Sequence, residues 1–385
     1  MTLGEAFDLN PTVKLTKGMS APFVEMASLV PFTRDVSATQ DKPYGGGMKF
    51  CDGDVLMARI TPSLENGKTS IYRAAVDRQG TPAFGSTEFI VIRGKEGVSS
   101  TDFAYYLFTS PEVRDHAISS MNGSSGRQRV QHDSLSSFEI DLPTLEEQRA
   151  IAATLGALDD KIESNRRAID ILDRIMSTRV GNYLAHADIG QLRALESLGT
   201  LVTGKTPSTK DKGNFGGSIP FVTISELSAH HIVQQSARTL SNAGAELVKG
   251  AVVPAGSIAI SCIATVGECG IIGTESVTNQ QINTLIPNLS VINTGFAYYL
   301  FRSLKPELLA AGGGGSVYTN VSKGRLSKIK VAVPSLNEQE MLVPAEFMAE
   351  MLHLQEESQQ LSTLRDSLLP ELLSGCIRAA DVEVA

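Results

Sequence analysis

Phe103-Ala104-Tyr105-Tyr106-Leu107-Phe108 recurs letter for letter as Phe296-Ala297-Tyr298-Tyr299-Leu300-Phe301. Further along, Leu142-Pro143-Thr144-Leu145-Glu146-Glu147-Gln148 returns as Val333-Pro334-Ser335-Leu336-Asn337-Glu338-Gln339. Phe23-Val24 with Leu29 matches Phe221-Val222 with Leu227, and Gly53-Asp54-Val55-Leu56 matches Gly256-Ser257-Ile258-Ala259. The pairs keep their order at offsets of 191 to 203 residues, so the chain is a two-copy array with small insertions. That period is too long for a solenoid unit. It fits one domain plus an appendage, and a length of 385 residues has room for two such cores.

The net charge of −8 is unevenly placed. Residues 1–140 and 181–333 together carry 26 basic and 24 acidic side chains, whereas residues 334–385 carry 2 and 10. The acidity belongs to the C-terminal appendage, so the two large segments remain free to present basic faces to a polyanion. No apolar run approaches the ~18–20 residues of a membrane span, and Met1-Thr2-Leu3-Gly4-Glu5 does not open a signal-peptide pattern. Cys51, Cys262, Cys269 and Cys376 show no Cys-x-x-Cys spacing and read as reduced thiols of a cytoplasmic protein.

Each repeat reads as a strand-rich first part and a helical second part. Asp54–Ile60 and Thr87–Ile92, with Ser257–Ile263 and Asn283–Ile286, are short apolar runs expected to form strands. The two aromatic hexapeptides read as short packed helices. After each proline, Thr144–Glu147 and Ser335–Glu338 have the pattern of a capping box, in which a hydroxyl takes an orphan N–H and a glutamate reaches back. Beyond the first, Ile151, Leu155, Leu158, Ile162, Ile169, Leu172 and Met176 follow heptad spacing, with Asn165 as a register-fixing polar residue. Beyond the second, Phe347, Met351, Leu354, Leu361 and Leu368 form a stripe with Ser358 in a polar slot, shifted in phase near Pro344. Such seams need each other or a partner, and an antiparallel pair would act as a ruler. A helix of ~35 residues spans ~50 Å, which is ~10–15 base pairs of duplex.

Catalytic sets are missing from the pattern. Asn10-Pro11 is followed by Thr12, so the [DN]PP[FY] tetrad of amino-methyltransferases is not formed, and the only Asp-x-Lys, Asp159-Asp160-Lys161, lies on the heptad helix. His230-His231 has no second cluster at metal spacing. Gly199-Thr200-Leu201-Val202-Thr203-Gly204-Lys205-Thr206 does satisfy the phosphate-loop pattern, and a P-loop NTPase using Gly199–Thr206 is one alternative function. Against it, Pro207 and a polar loop follow where a helix is required. A coiled-coil scaffold that never touches DNA is another alternative. The chain reads foremost as a binder without a reactive centre.

Base reading needs Arg, Lys, Asn, Gln or hydroxyls on loops, and phosphate grip needs donors with close backbone approach. A glycine-rich turn precedes each capped helix. The first leads into Arg127, Gln128, Arg129, Gln131 and His132; the second leads into Tyr318, Thr319, Asn320 and Lys323. Val130 and Val321 both stand 13 residues before their prolines, so the turns correspond. A second candidate pair is Gly85-Ser86-Thr87-Glu88 with Thr278-Asn279-Gln280-Gln281, serving as adenine contacts or as strand-end caps. Arg59 and Lys68, with Lys42, Tyr44 and Lys49, and Lys205 and Thr206, with Lys210, Lys212 and Asn214, complete the set of candidates.

A variable domain, a glycine/serine turn and an (L/V)P-x-L-x-EQ opening onto a long helix, all doubled, resembles the specificity subunit of type I restriction-modification enzymes. Pro143–Gln148, Pro334–Gln339, the aromatic hexapeptides and Gly204-Lys205-Thr206-Pro207 carry the likeness across nearly the whole chain. The first domain departs from it, because Thr2 to Lys17 lack the Gly-x-Thr-Pro turn. The resemblance implies an α+β fold: two similar mixed α/β target-recognition domains separated by two long antiparallel helices in a pseudo-two-fold repeat. The expected boundaries are 1–141 for the first recognition domain, 142–185 for a central spacer helix, 186–333 for the second domain and 334–378 for a C-terminal spacer helix. It further implies double-stranded DNA as ligand, methyltransferase subunits, two of them, as partners, and motor-nuclease subunits that join them. The chain itself would bind no cofactor; S-adenosylmethionine would sit in the methyltransferase. Ile151, Leu155, Leu158, Ile162, Asn165, Phe347, Met351, Leu354 and Leu361 would line the spacer helices.

Overall fold

Short apolar runs between glycines form the centre of each repeat in the computed structural model, which describes residues 1–187, 192–311 and 320–382. The chain divides into two compact units, Met1–Ser164 with Glu357–Ala385, and Asn165–Glu356. In the first unit the strands are β1 (Phe7–Leu9), β2 (Ser20–Val24), β3 (Asp35–Val36), β4 (Gln40–Pro43), β5 (Met48–Phe50), β6 (Val55–Ala58), β7 (Thr69–Tyr72), β8 (Ala83–Gly85) and β9 (Phe89–Gly94). They build a five-stranded sheet in the order β1-β9-β6-β7-β3 and a four-stranded sheet in the order β4-β2-β8-β5.

The second unit holds β10 (Leu192–Ala194), β11 (Gly199–Thr203), β12 (Phe215–Val222), β13 (Ile232–Val233), β14 (Thr239–Leu240), β15 (Val252–Val253), β16 (Ile258–Ser261), β17 (Cys269–Ile272), β18 (Ser276–Thr278), β19 (Ile282–Pro287) and β20 (Lys330–Ala332). Its two larger sheets run β11-β19-β16-β17-β13 and β14-β12-β18-β15. Strand for strand this is the topology of the first unit. Register agrees too: Val55 faces Ile92 and Ile71 in one unit, and Ile258 faces Leu285 and Ile271 in the other.

The central strands are buried on both faces, which is why they read as continuous apolar runs. Val55, Met57, Ile90 and Ile92 pack under the helix Thr101–Thr109, while Leu56 and Val91 turn to the other side with Val24 and Phe50. Ile258, Ile260 and Leu285 do the same beneath the helix Thr294–Ser303. These helices carry the repeated hexapeptides, whose aromatic rings are all buried. Burying each such ring contributes ~1.5–3 kcal/mol.

Gln148 and Gln339 explain the repeated glutamine of the motif. Both are fully buried. Gln148 Oε1 accepts the Ser100 N–H at 2.9 Å, and its Nε2 donates to the carbonyls of Val98 (3.0 Å) and Pro143 (2.9 Å). Gln339 Oε1 accepts the Asn293 N–H at 2.7 Å, and its Nε2 donates to Val291 and Pro334, both at 2.9 Å. Ser100 and Asn293 are the N-caps of the aromatic helices. One amide thus satisfies three backbone groups, most of them partly buried, and ties the aromatic helix to the start of the long helix.

The first long helix, Leu145–His186, begins in the first unit and ends in the second; the second, Ala345–Leu373, begins in the second and ends in the first. Thr144 Oγ1 accepts the Glu147 N–H, but the Glu147 carboxylate accepts from the Ala379 N–H. Ser335 and Glu338 form the reciprocal box, although that helix stops at Leu342 and a new one starts after Pro344. The ring of Pro344 prevents a continuous helix there, which shifts the phase of the second seam.

Ile151, Leu155, Leu158 and Asn165 are buried and Ile162 is half-buried. Met351 and Leu354 are buried, while Phe347, Leu361 and Leu368 are half-buried. Within the first unit the two helices are antiparallel: Arg365 pairs with Asp159 at 2.7 Å and Glu357 with Lys161 at 3.0 Å. Arg365 occupies a seam position where the stripe gave no residue, and the Asp159 carboxylate that pairs with it also accepts from the Tyr106 hydroxyl at 2.7 Å. Within the second unit Met176 and Val180 join Val343 in one core, with Phe347 and Met348 packed against it.

Candidate nucleic-acid interface

Three chain segments meet at the same end of the central strand in both units. In the first unit they are Arg59–Thr61 after β6, Ser86–Glu88 before β9, and Arg127–Val130 after the glycine-rich turn. The Arg59 N–H donates to the Glu88 carbonyl at 3.0 Å, and the Val130 N–H donates to the Arg59 carbonyl at 2.9 Å. Ile60 bridges Arg129, and Thr61 and Gln128 exchange bonds of 3.1 and 3.2 Å. The turn closes on itself through Asn122 and Arg129, with Gly123 at φ 135° and Gly126 at φ 77°, values that favour glycine.

Among its described residues the second unit repeats the bonds between these segments. The Cys262 N–H donates to the Gln281 carbonyl at 2.8 Å, the Val321 N–H donates to the Cys262 carbonyl at 2.9 Å, and Ile263 bridges Asn320. The turns before β9 and β19 also match: the Glu88 N–H donates to Ser86 Oγ at 3.1 Å and the Gln281 N–H to Asn279 Oδ1 at 3.0 Å. Positions 59, 88 and 129 are therefore equivalent to 262, 281 and 320.

Side-chain chemistry at these positions differs. The Glu88 carboxylate accepts from Arg129 Nε at 2.9 Å and Nη2 at 2.7 Å, and from Arg59 Nε at 3.2 Å. The Arg129 guanidinium, opposed by partial burial and aided by Arg59, holds the Glu88 carboxyl below the usual carboxylate range. In the second unit Asn279 Nδ2 donates to Gln281 Oε1 at 3.1 Å, Gln280 and Asn320 are exposed, and Cys262 is buried. One site is an ionic trio. The other is a set of neutral amides.

Among the sequence candidates, Arg59, Ser86, Thr87, Gln128 and Arg129 come together in the first unit. Arg127, Gln131 and His132 are exposed beside them, and Gln131 Nε2 donates to the Arg129 carbonyl at 3.0 Å. In the second unit Asn279, Gln280, Gln281 and Asn320 come together, and Lys323 is exposed at the start of the helix Lys323–Ser327. Tyr318 and Thr319 lie outside the described residues. Lys68 is elsewhere, donating to the Met26 carbonyl at 3.0 Å. Lys42 and Lys49 lie over the rings of Phe23 and Tyr44, and Asn214 is buried with its amide on Ser208.

The phosphate-loop reading of Gly199–Thr206 is corrected here. Gly199–Thr203 is strand β11, paired with β19, and no helix follows Thr206. Lys205 N–H donates to the Thr278 carbonyl at 2.9 Å, and Thr206 Oγ1 meets Gln280. A Cβ on Gly204 would lie 2.1 Å from the Asn279 carbonyl, so this glycine permits a close strand approach. Its backbone has no phosphate cradle to offer.

Glu88 stood in the second candidate pair without being named as a DNA contact. His231 meets the Tyr298 hydroxyl at 2.8 Å, and Asp173 pairs with Arg302. Among the described residues no group of three or more His, Cys, Asp or Glu is placed to hold a metal, and no helix is long and apolar enough to cross a membrane.

Comparison with known proteins places this geometry. The type I restriction modification DNA specificity domain matches residues 37–173 and again 191–345. The HindI specificity subunit of Haemophilus influenzae is 25% identical over 428 residues, spanning 89% of this chain and 90% of that protein. A putative MjaX specificity subunit of Methanocaldococcus jannaschii is 21% identical, spanning 85% and 79%. The crystal structure of a type I restriction-modification system S subunit from M. genitalium shares the fold at a TM-score of 0.55 and 15% identity, covering 97% of this chain and 95% of that one. With two copies of the recognition domain on one pair of long helices, the chain belongs to the type I restriction-modification specificity subunits.

Proposed function

We propose that each recognition domain reads one half of a split, asymmetric site in double-stranded DNA, and that the two long helices set the unread gap and dock adenine methyltransferase subunits, two per chain. The chain acts as a non-catalytic cytoplasmic subunit; S-adenosylmethionine belongs to the methyltransferase, and motor-nuclease subunits join the same assembly. The observation that carries this reading is the duplicated three-segment site, with one backbone and two different sets of side chains. Two readers of one design but different lettering suit a site with two unlike halves.

The test is selection from a randomised duplex library by the chain assembled with its methyltransferase subunits. A motif of two short specified blocks around an unspecified gap is expected. Inserting seven residues into both long helices preserves the heptad phase and should lengthen the tolerated gap. A continuous motif, or a gap that ignores the insertion, refutes the reading.

A further inference from the structure

The trio Arg59–Glu88–Arg129 places a carboxylate among the donors of the candidate interface. An acidic group beside phosphates costs affinity, so its presence needs a reason. Geometry supplies one. Arg129 engages Glu88 through Nε and Nη2, and its Nη1 donates to the Arg127 carbonyl at 3.3 Å. Three of its nitrogens are therefore committed within the protein. Arg59 donates to Glu88 through Nε alone, at 3.2 Å, and its side chain is 38% exposed. Its two Nη nitrogens make no bond among the described residues, and such a pair matches O6 and N7 of guanine.

We propose that Arg59 reads a guanine in the half-site bound by the first unit, and that Glu88 is the positioning residue that aims it, itself locked by the two-pronged grip of Arg129. This rests on the DNA-reading function above and names a letter and a mechanism within it. A free arginine would swing among nearby phosphates; one tethered at Nε keeps its Nη edge in a single orientation. At the equivalent position of the second unit stands Cys262, whose side chain is buried, so the reading there falls to the amides of Asn320 and Gln281. Asn and Gln match the adenine edge. The two half-sites should differ at this step, guanine against adenine.

The experiment uses the full chain assembled with its methyltransferase subunits and a randomised duplex library, comparing wild type with Glu88→Gln, Glu88→Asp and Arg59→Ala. Arg59→Ala and Glu88→Gln should each relax one guanine of the first half-site by about tenfold or more, leaving the second half unchanged. Glu88→Asp retains the charge and should restore much of the preference, an outcome that a purely structural role for the carboxylate does not require. Glu88→Gln should also strengthen binding to unrelated duplex and steepen its salt dependence, because released guanidiniums engage phosphates. If Glu88→Gln fails to fold, Arg129→Lys keeps the charge but loses the two-pronged grip, and it should relax the same letter.

Unchanged letters in Glu88→Gln or Arg59→Ala, or equal weakening of both half-sites, would overturn the proposal. A uniform fall in affinity with a shallower salt slope would reduce these residues to phosphate contacts and overturn it likewise. Should the wild-type assembly select no two-block motif, the DNA-reading function itself fails first. The two failures are thereby told apart.

Discussion

The two recognition units share a backbone and diverge in how its buried positions are filled. Tyr106 and Tyr299 are equivalent, yet the first donates to Asp159, which pairs with Arg365, while the second points its hydroxyl at the Met351 sulfur at 3.8 Å. Arg59, Glu88 and Arg129 correspond to Cys262, Gln281 and Asn320 in the repeat. The glutamine clamps, in contrast, are alike to within a few tenths of an ångström. Backbone connections between the aromatic helix, the long helix and the central strands were retained through duplication. The side chains that touch solvent at the strand ends, and those that pair across the helices, were free to differ.

That contrast is sharpest at Asp159. Replacing it by Ala leaves the buried Arg365 with only Ser362 and the exposed Asp366 as partners, and the first unit should lose up to ~3 kcal/mol. Met351→Leu at the matching tyrosine should cost the second unit less than ~1.5 kcal/mol. Native-state hydrogen exchange, which reports the two units separately, checks both values. The pair Asp159→Leu with Arg365→Met should recover most of the loss. If both units respond alike to the single changes, the asymmetry drawn here is wrong.

The clamps should behave oppositely, as equals. Gln148→Met and Gln339→Met each strand three partly buried backbone groups and should each cost about 1–3 kcal/mol in their own unit. Denaturant unfolding followed by exchange of the amides of Ser100 and Asn293 measures this. A large effect in only one unit would show that the clamp is not shared.

Acid separates the units more gently. Burial, opposed by Asp173, holds the His231 imidazole below its ordinary value of 6.5, and burial, opposed by Glu226, does the same for His230. A depressed folded value means stability is fully present above pH 6.5 and is lost as pH falls through the folded values. In the first unit Glu88 is held below 4.5, so its contribution is lost only under stronger acid. Exchange measured from pH 7 to 5 should show the second unit loosening first, and His231→Gln should weaken that dependence. The smallest effect is expected of Lys205→Ala. It lies on an exposed strand extension and should shift stability by less than ~0.5 kcal/mol, with no heat of ATP or GTP binding in either form.

Much of the architecture was legible because the chain spells it twice. A hexapeptide and a proline-headed motif at matching offsets imply two domains, and apolar runs between glycines imply central strands buried on both faces. Asn165 showed itself as a polar break in an apolar stripe, and it is 2% exposed. Arg365 did not, because an arginine at a seam position looks like a solvated charge until Asp159 from a segment over 200 residues away meets it. The role of Gln148 and Gln339 was hidden for a related reason. Their three partners lie on loops that only the folded chain brings together. At the interface, spacing located the right segments but not the alliances among them, since Glu88 gains its meaning only from two arginines 29 and 41 residues away.

The central claim is that each unit reads its own half of a split duplex site. Single-molecule sequencing of host DNA, from cells carrying the chain with its methyltransferase subunits, tests it most directly through Arg129→Ala and Asn320→Ala. The modified motif should lose specified letters in one block with the first change and in the other block with the second. Changes that alter both blocks together, or that abolish modification without altering any letter, would contradict the account.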